Sequence, residues 1–561
     1  MSCFDKASLL QNKGLNMNQP LLFENMEEIS LSVNDVASQL KVSTASVRNW
    51  LKTGYLKQIN PHRISRSSFE YFKNNVAGFE KLRSRANKSL KDRHDHEKLQ
   101  RKFQNLLKEK NLELQDIGTQ YEISLSDSYR NKEGVYYTPV EITERFFRYL
   151  PENATGLSFC DPCCGSGNFI MTAIAKGFKP ENIYGYDTDP FAVTVTKERI
   201  FKHTGYKTNQ IIYQDFLKST LEHDSPYFDV ILTNPPWGKK INKEQKKIYA
   251  QIFCAGKSLD TSSLFFFAAL SRLRADGILG FLLQDAFFNV ASFEDVRKQA
   301  LSLRLKALLD FGKPFKGLLT KAKGIILQQK KAPIGNHVEC EANKETAPRL
   351  QDSFSRNPKS ILNFLCTSEA SEVIEYLYQQ EHVTLSGQAS FGLGIVTGNN
   401  KKFCIGVQKE GYLPVLKGTD LHKDGIDAPS NFIPGDLSLY QQVAPKSLFL
   451  SKEKLIYRFI SSDLVFYHDC QQRFFLNSVN MLVLGNDFPI RAKQLAQLLN
   501  SRVINWLFKS IFETHKILRS DIESLPIYTR YFDHHSAFKE ASFLNYLGVE
   551  EDHNGAFRIK K

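Results

Sequence analysis

Four short apolar runs between Gly156 and Asn234 constrain this chain more than any other feature. They read GLSFCD, NIYGYD, QIIYQD and FDVILTN, and each ends in an acid or an amide: Asp161, Asp187, Asp215 and Asn234. Runs of this length, alternating with helical patterns from about Val135 to Lys331, predict the strands of a doubly wound α/β sheet. In an open parallel sheet the ligand crevice lies beyond the carboxyl ends of the strands. All four polar residues are therefore expected to face one cleft.

The turn after the first run, Cys160-Asp161-Pro162-Cys163-Cys164-Gly165-Ser166-Gly167, supports two readings. Cys160 and Cys163 have the C-x-x-C spacing of a redox pair or half a zinc site. Gly165 and Gly167 would instead let backbone approach a nucleotide-like ligand closely. No second C-x-x-C or nearby histidine completes a metal site, so no metal is expected. The downstream strand ends favour the glycine reading. Asp187 follows Gly167 by 20 residues, a spacing that suits a carboxylate on a ribose hydroxyl pair. Asp215 offers an acceptor for an adenine amino group beside the aromatic face of Phe216. Together these residues would hold an adenosine, although the turn departs from the G-x-G-x-x-G of dinucleotide-binding enzymes.

The fourth run leads into Asn234-Pro235-Pro236-Trp237, which places an amide, a rigid turn and an aromatic ring together. An amino group on an aromatic ring is a poor nucleophile, because its lone pair is delocalised into the ring. The Asn234 side-chain oxygen and the Pro235 carbonyl can accept both of its N–H bonds. That favours a more tetrahedral nitrogen whose lone pair points at an electrophile. Trp237 can stack on the base, contributing about 1–3 kcal/mol by analogy with other base–aromatic stacks. Catalysis by such a group would rest on positioning and electrostatics rather than on a strong general base.

Composition points to the partner. The 561-residue chain carries a net charge of +14 and a pI near 9.1, a surplus that favours a polyanion, nucleic acid before an anionic membrane. No apolar run approaches the roughly 20 residues that span a bilayer. The N-terminus lacks the pattern of a secretory signal, and nine cysteines over this length suggest a reducing cytoplasm rather than a disulfide framework.

The chain divides by pattern into an arm (1–28), a helical module (29–78), a basic helical linker (79–110), the α/β domain (111–333), a breaker-rich linker (334–358), an α+β domain (359–545) and a tail (546–561). In the helical module, Ser32 with Asp35 is a capping pair for a helix carrying Val36, Ala37 and Leu40. Ser43 can cap a second helix carrying Val47, Trp50 and Leu51, with Gly54 closing it. Arg48, Asn49 and Lys52 would lie on the exposed face, and HRISRSSFEYF would add a small wing and a third helix. This module resembles the winged helix-turn-helix of excisionase and MerR-type regulators.

D-P-C-C-G-S-G-N-F, followed by Y-G-Y-D, Q-D-F and N-P-P-W, resembles the S-adenosylmethionine-dependent DNA adenine-N6 methyltransferases of restriction–modification systems. The order of the motifs is similar to that of their gamma class. The resemblance implies a class I methyltransferase sheet, S-adenosylmethionine as methyl donor, double-stranded DNA as substrate and flipping of the target base. It also assigns Tyr137 and Thr138, in GVYYTP, to the methionine end of the cofactor, and Phe315 to the face of the flipped base opposite Trp237. GIVTGNNKKF at Gly394, LPVLKGTDL at Leu413 and the segment from Asn500 resemble the family's target-recognition domain. A monomer in a prokaryotic cytoplasm with a separately encoded restriction endonuclease follows as the default. The alternatives are a combined endonuclease–methyltransferase, a regulator that has lost activity, and an enzyme acting on an RNA or protein amino group.

Overall fold

The computed structural model describes residues 30–52, 55–60, 63–77, 138–237, 241–315, 320–342 and 345–560. The expected arm, the basic helix from Lys81 to Lys110, Gly54 and Tyr137 lie outside these residues. Among the described residues no helix is long and apolar enough to cross a membrane.

Near the N-terminus, β1 (Ser30–Ser32) leads into the helix Val33–Leu40, and a second helix spans Thr44–Lys52. The capping pair forms as the spacing predicts: the Ser32 hydroxyl accepts from the Asp35 amide at 3.1 Å, and the Asp35 carboxylate accepts from the Ser32 amide at 2.8 Å. Ser43 likewise accepts from the Ser46 amide at 3.2 Å. Two short strands, β2 (Gln58–Asn60) and β3 (Arg63–Ser65), join β1 in an antiparallel sheet of order β1-β3-β2, and the helix Arg66–Asn75 follows. Val36, Leu40, Val47, Trp50, Phe69 and Phe72 bury a small core. Its centre is the Trp50–Phe72 ring contact at 4.8 Å.

The chain divides into two compact units, the first drawn from residues up to Gln284 with Leu309–Lys331, the second from Asp285–Leu308 with residues from Ala332 onward. The α/β strands are β4 (Phe159–Asp161), β5 (Ile183–Asp187), β6 (Ile211–Tyr213), β7 (Phe228–Thr233), β8 (Leu273–Gln284), β9 (Arg304–Asp310) and β10 (Ala322–Gln328). Within the first unit six of them run in the order β10-β8-β7-β4-β5-β6. Neighbours from β6 to β8 are parallel, and β10 is antiparallel to β8. From the central β4 the chain winds outward through β5 and β6, then returns to β7 on the other side. That reversal is a topological switch point, where open sheets of this kind bind ligands. Fully buried Phe159, Ile183, Ile211, Ile231 and Leu232 make the sheet interior.

In the second unit, β13 (Ala389–Leu393), β19 (Val479–Leu484), β16 (Lys454–Arg458) and β17 (Phe466–Asp469) form a sheet of order β13-β19-β16-β17. A smaller sheet contains β15 (Asn431–Pro434), β14 (Tyr412–Leu416) and β18 (Phe474–Phe475). An ion pair between Lys454 and Asp469, 2.7 Å apart and fully buried, fixes the β16–β17 pairing at two residues that are register partners.

Two boundaries read from composition need correction. The segment 334–358, expected as a linker, holds the antiparallel strands β11 (His337–Ala342) and β12 (Glu345–Leu350) and the helix Gln351–Ser355. Val338 and Cys340 are buried while His337 and Glu339 are exposed, so the acids sit on the outer side of a period-two pattern. The expected tail, 546–561, is likewise structured. Leu547 closes a helix, and β20 (Val549–Glu551) pairs with β21 (Phe557–Ile559). Val549 and Phe557 join the core of the second unit.

Candidate active site

The strand ends gather as their sequence predicts. Asp161 closes β4, Asp187 closes β5, Asp215 follows β6 by two residues, and Asn234 directly follows β7. All lie at carboxyl ends of parallel strands, and the glycine turn rises from β4 at the switch point.

The turn is fastened from several sides. The Cys164 amide donates to the Tyr186 carbonyl at 2.9 Å, and the Gly165 amide to Asp187 Oδ2 at 2.8 Å. Asp187 Oδ1 also accepts from the Asp189 amide at 2.8 Å, so one carboxylate braces β5, its following loop and the glycine turn. Gly165 and Gly167 adopt left-handed backbone, with φ of 50° and 88°. A Cβ on Gly167 would lie 2.9 Å from the Thr196 side chain, so the position is closed to other residues by conformation and by space. Gly167 caps the helix Asn168–Ala175, and the turn therefore presents backbone amides and a helix N-terminus to the crevice.

Thr138 is buried, and its carbonyl accepts from Asn168 Nδ2 at 2.8 Å, which ties the segment ahead of the sheet to the end of the turn. Asp161 is 1% exposed. Its Oδ1 accepts from the Cys163 amide at 3.0 Å and from the Thr233 hydroxyl at 2.7 Å. Burial pushes this carboxyl up to about 7, the two hydrogen bonds pull it down, and the neighbouring Asp187 charge adds to the rise. Pro162 is buried beside it. Asp215 caps the short helix Phe216–Ser219 by accepting from the Leu217 amide at 3.0 Å. Phe216 packs between Tyr186 and Phe265, at 5.3 and 6.2 Å.

Pro235 is buried, and Asn234 and Pro236 are partly exposed. The Trp237 indole N–H donates to the Leu282 carbonyl of β8 at 3.3 Å. Trp237 and Phe315 meet edge to face, ring centroids 5.4 Å apart and planes at 80°. Two aromatics separated by 78 positions in sequence, linked before only by resemblance, thus share one place in the fold.

Cys160, Cys163 and Cys164 are all free thiols. Burial holds the Cys160 and Cys164 thiols well above their ordinary range, the opposite of a reactive thiolate. They act as small apolar linings of the turn.

Sequence reasoning missed the residues that hold the turn from behind. The Thr196 hydroxyl donates to the Gly165 carbonyl at 2.9 Å. Arg199, 9% exposed, donates to the Ser166 carbonyl and, at 2.9 Å, to Asn168 Oδ1. Both stand on one face of the helix Pro190–Thr204, three residues apart. That i, i+3 pairing of a threonine and an arginine on an otherwise apolar face was the available signal.

Comparison with known proteins agrees with this geometry. Residues 113–332 match the N-6 DNA Methylase family, and residues 413–527 match the TaqI-like C-terminal specificity domain. The chain is 50% identical over 410 residues to "Type II methyltransferase M.VspI" of Vibrio sp. (strain 343), covering 73% of this chain and 100% of that protein. It is 26% identical over 191 residues to "Modification methylase CviBIII" of Paramecium bursaria Chlorella virus NC1A, covering 33% of this chain and 47% of the other. Among solved structures, the cryoEM structure of a DrdV–DNA complex aligns with a TM-score of 0.49 and 14% identity, over 89% of this chain and 63% of that one.

Proposed function

This chain belongs to the N-6 DNA methylases, and from that premise we propose how its residues carry out the reaction. It is a DNA adenine methyltransferase that takes its methyl group from S-adenosylmethionine. The turn fits that cofactor: a cradle where a Cβ at Gly167 would intrude, backbone amides beside a helix N-terminus, and the Asp161 and Asp187 carboxylates against a cationic ligand. Thr138, Asp161, Pro162, Gly165, Gly167, Asp187, Asp215 and Phe216 would hold it, with Tyr137 beside Thr138. When bound, S-adenosylmethionine supplies an electrophilic methyl group on sulfur.

The observation that carries the catalytic assignment is the placement of Asn234-Pro235-Pro236-Trp237 at the end of β7, beside the β4 turn across the switch point. The Asn234 side-chain oxygen and the Pro235 carbonyl accept the two N–H bonds of the adenine amino group. The lone pair is thereby directed at the methyl carbon, and the proton leaves after transfer. The prolines hold these acceptors before substrate arrives, so little reorganisation is needed in the transition state. Trp237 and Phe315 take the two sides of a base flipped out of the duplex, since the amino group is out of reach inside the stack. The motif order supports the gamma class.

The test is to map modified bases in DNA from cells expressing the chain. N6-methyladenine at one recurrent sequence is expected. Modification of cytosine, or transfer only to RNA or protein in vitro, overturns the reading.

The C-terminal unit supplies base readout, and the N-terminal module adds DNA contacts through Arg48 and Asn49, both exposed on the helix Thr44–Lys52. Replacing both with alanine is expected to weaken duplex binding about fivefold to tenfold at physiological salt, with the methylated sequence unchanged. Binding that stays the same across a salt titration, measured by fluorescence anisotropy, assigns the module to another partner. One chain acting on one strand per event, with a separately encoded endonuclease, completes the proposal.

A further inference from the structure

Asp161 and Thr233 stand at the ends of the two strands that carry the two halves of the site. β4 and β7 are parallel neighbours whose register runs Phe159↔Val230 and Cys160↔Ile231. The bond from the Thr233 hydroxyl to Asp161 Oδ1, at 2.7 Å, continues that pairing past the last registered pair. The same oxygen accepts from the Cys163 amide at 3.0 Å. One buried atom thus holds the start of the cofactor turn and the residue just before Asn234.

Nothing about strand packing calls for a hydroxyl here. Thr233 is 0% exposed, and a valine would fill the same volume at the end of an apolar strand. A buried hydroxyl is costly unless it is hydrogen-bonded, and this one spends its bond on a carboxylate.

We propose that Thr233 is a positioning residue for methyl transfer, locking Asn234 in register with the glycine turn through Asp161. The proposal rests on Asn234 carrying the chemistry, and its failure is separable from failure of that assignment. Thr233 touches neither methyl donor nor base; it sets where the Asn234 amide stands relative to the donor's methyl group. Misplacement of a catalytic group by about 1 Å costs roughly 100-fold in rate.

The test compares the full-length protein with Thr233→Val, which keeps the shape and loses the hydroxyl, and Thr233→Ser, which keeps the hydroxyl. Valine is expected to lower kcat at saturating cofactor and DNA by about 10- to 100-fold. Cofactor affinity by calorimetry should stay within about threefold, and serine should recover most of the rate.

The pH profile gives a second readout. The Thr233 bond pulls the Asp161 carboxyl down from where burial would put it, so its removal pushes the carboxyl further above about 7. The other titratable groups facing Asp161 are Asp187 and the thiols of Cys160, Cys163 and Cys164. Of these, burial keeps the Cys160 and Cys164 thiols protonated, so the inflection in kcat near neutrality is expected to move to higher pH in Thr233→Val. Wild-type kcat in the valine variant, or a rate loss matched in full by weaker cofactor binding without a moved inflection, overturns the proposal. Should valine fail to fold, Thr233→Ala against Thr233→Ser isolates the hydroxyl, and equal rates for those two also overturn it. If Asn234→Ala methylates normally, the catalytic assignment falls instead, whatever the valine variant does.

Discussion

Asn234→Ala lowers methyl transfer by about 100- to 1,000-fold, the range lost when one electrostatic contact to a transition state is removed. Duplex affinity and cofactor affinity stay close to wild type. The reason lies in where charge develops. As the adenine nitrogen attacks, its N–H bonds become more polarised, and an acceptor fixed beside them gains strength in the transition state alone. Asn234 directly follows β7, whose last four residues are buried, and is followed by two prolines, so its backbone has little freedom to drift. Alanine removes the side-chain acceptor and leaves the Pro235 carbonyl, which is why a residual rate is expected rather than none. The measurement is single-turnover methylation of a duplex carrying the mapped site, with binding followed by anisotropy. A variant that transfers methyl groups at the wild-type rate would remove Asn234 from the mechanism.

Gly167→Ala is expected to weaken cofactor binding by about tenfold or more, because a side chain at this backbone conformation costs about 1–3 kcal/mol. The backbone there has φ of 88°, and the added Cβ would approach Thr196 Cγ2 and Oγ1 to 2.9 Å. Thr196 has little room to retreat, since its hydroxyl holds the Gly165 carbonyl. The turn must therefore shift as a whole, and with it the amides at the start of the helix Asn168–Ala175. Calorimetry of cofactor binding reads the loss directly, and kcat at saturating cofactor should fall much less. Combining Gly167→Ala with Thr196→Ser removes one of the crowded atoms, and any recovery measures crowding apart from backbone strain. Unchanged affinity in the single variant would show that the turn does not form the cofactor cradle.

The strand ends were legible because each apolar run stops on a polar residue, a pattern imposed locally by a buried parallel sheet. The Ser32–Asp35 cap was legible for the same reason, being complete within four residues. Asp189 was read as a helix cap, and it caps the helix Pro190–Thr204 through the Phe191 amide. The bonds that bind the site together were not legible. Asp161 meets Thr233 across 72 positions, and Gly165 meets Thr196 across 31, so both contacts exist only once the sheet is assembled. The segments 334–358 and 546–561 were misread because charge and turn residues hid short strands with a single buried side. In each, a few apolar residues such as Val338, Cys340, Val549 and Phe557 are enough to anchor the strand.

The edge-to-face contact of Trp237 with Phe315 has a consequence for selectivity. The two rings occupy for each other the space that the base reading gives to an adenine, so the protein acts as a tethered competitor of its own substrate. Parting the rings gives up a contact worth about 0.5–1.5 kcal/mol, and the apparent affinity for an extruded base falls by the fraction of time the rings spend together. A base that leaves its stack only briefly is thereby turned away. One held out by contacts elsewhere on the duplex displaces Phe315 and enters. Recognition of sequence at a distance and admission to the pocket then become successive thresholds, and the second is set by a single pair of aromatic side chains.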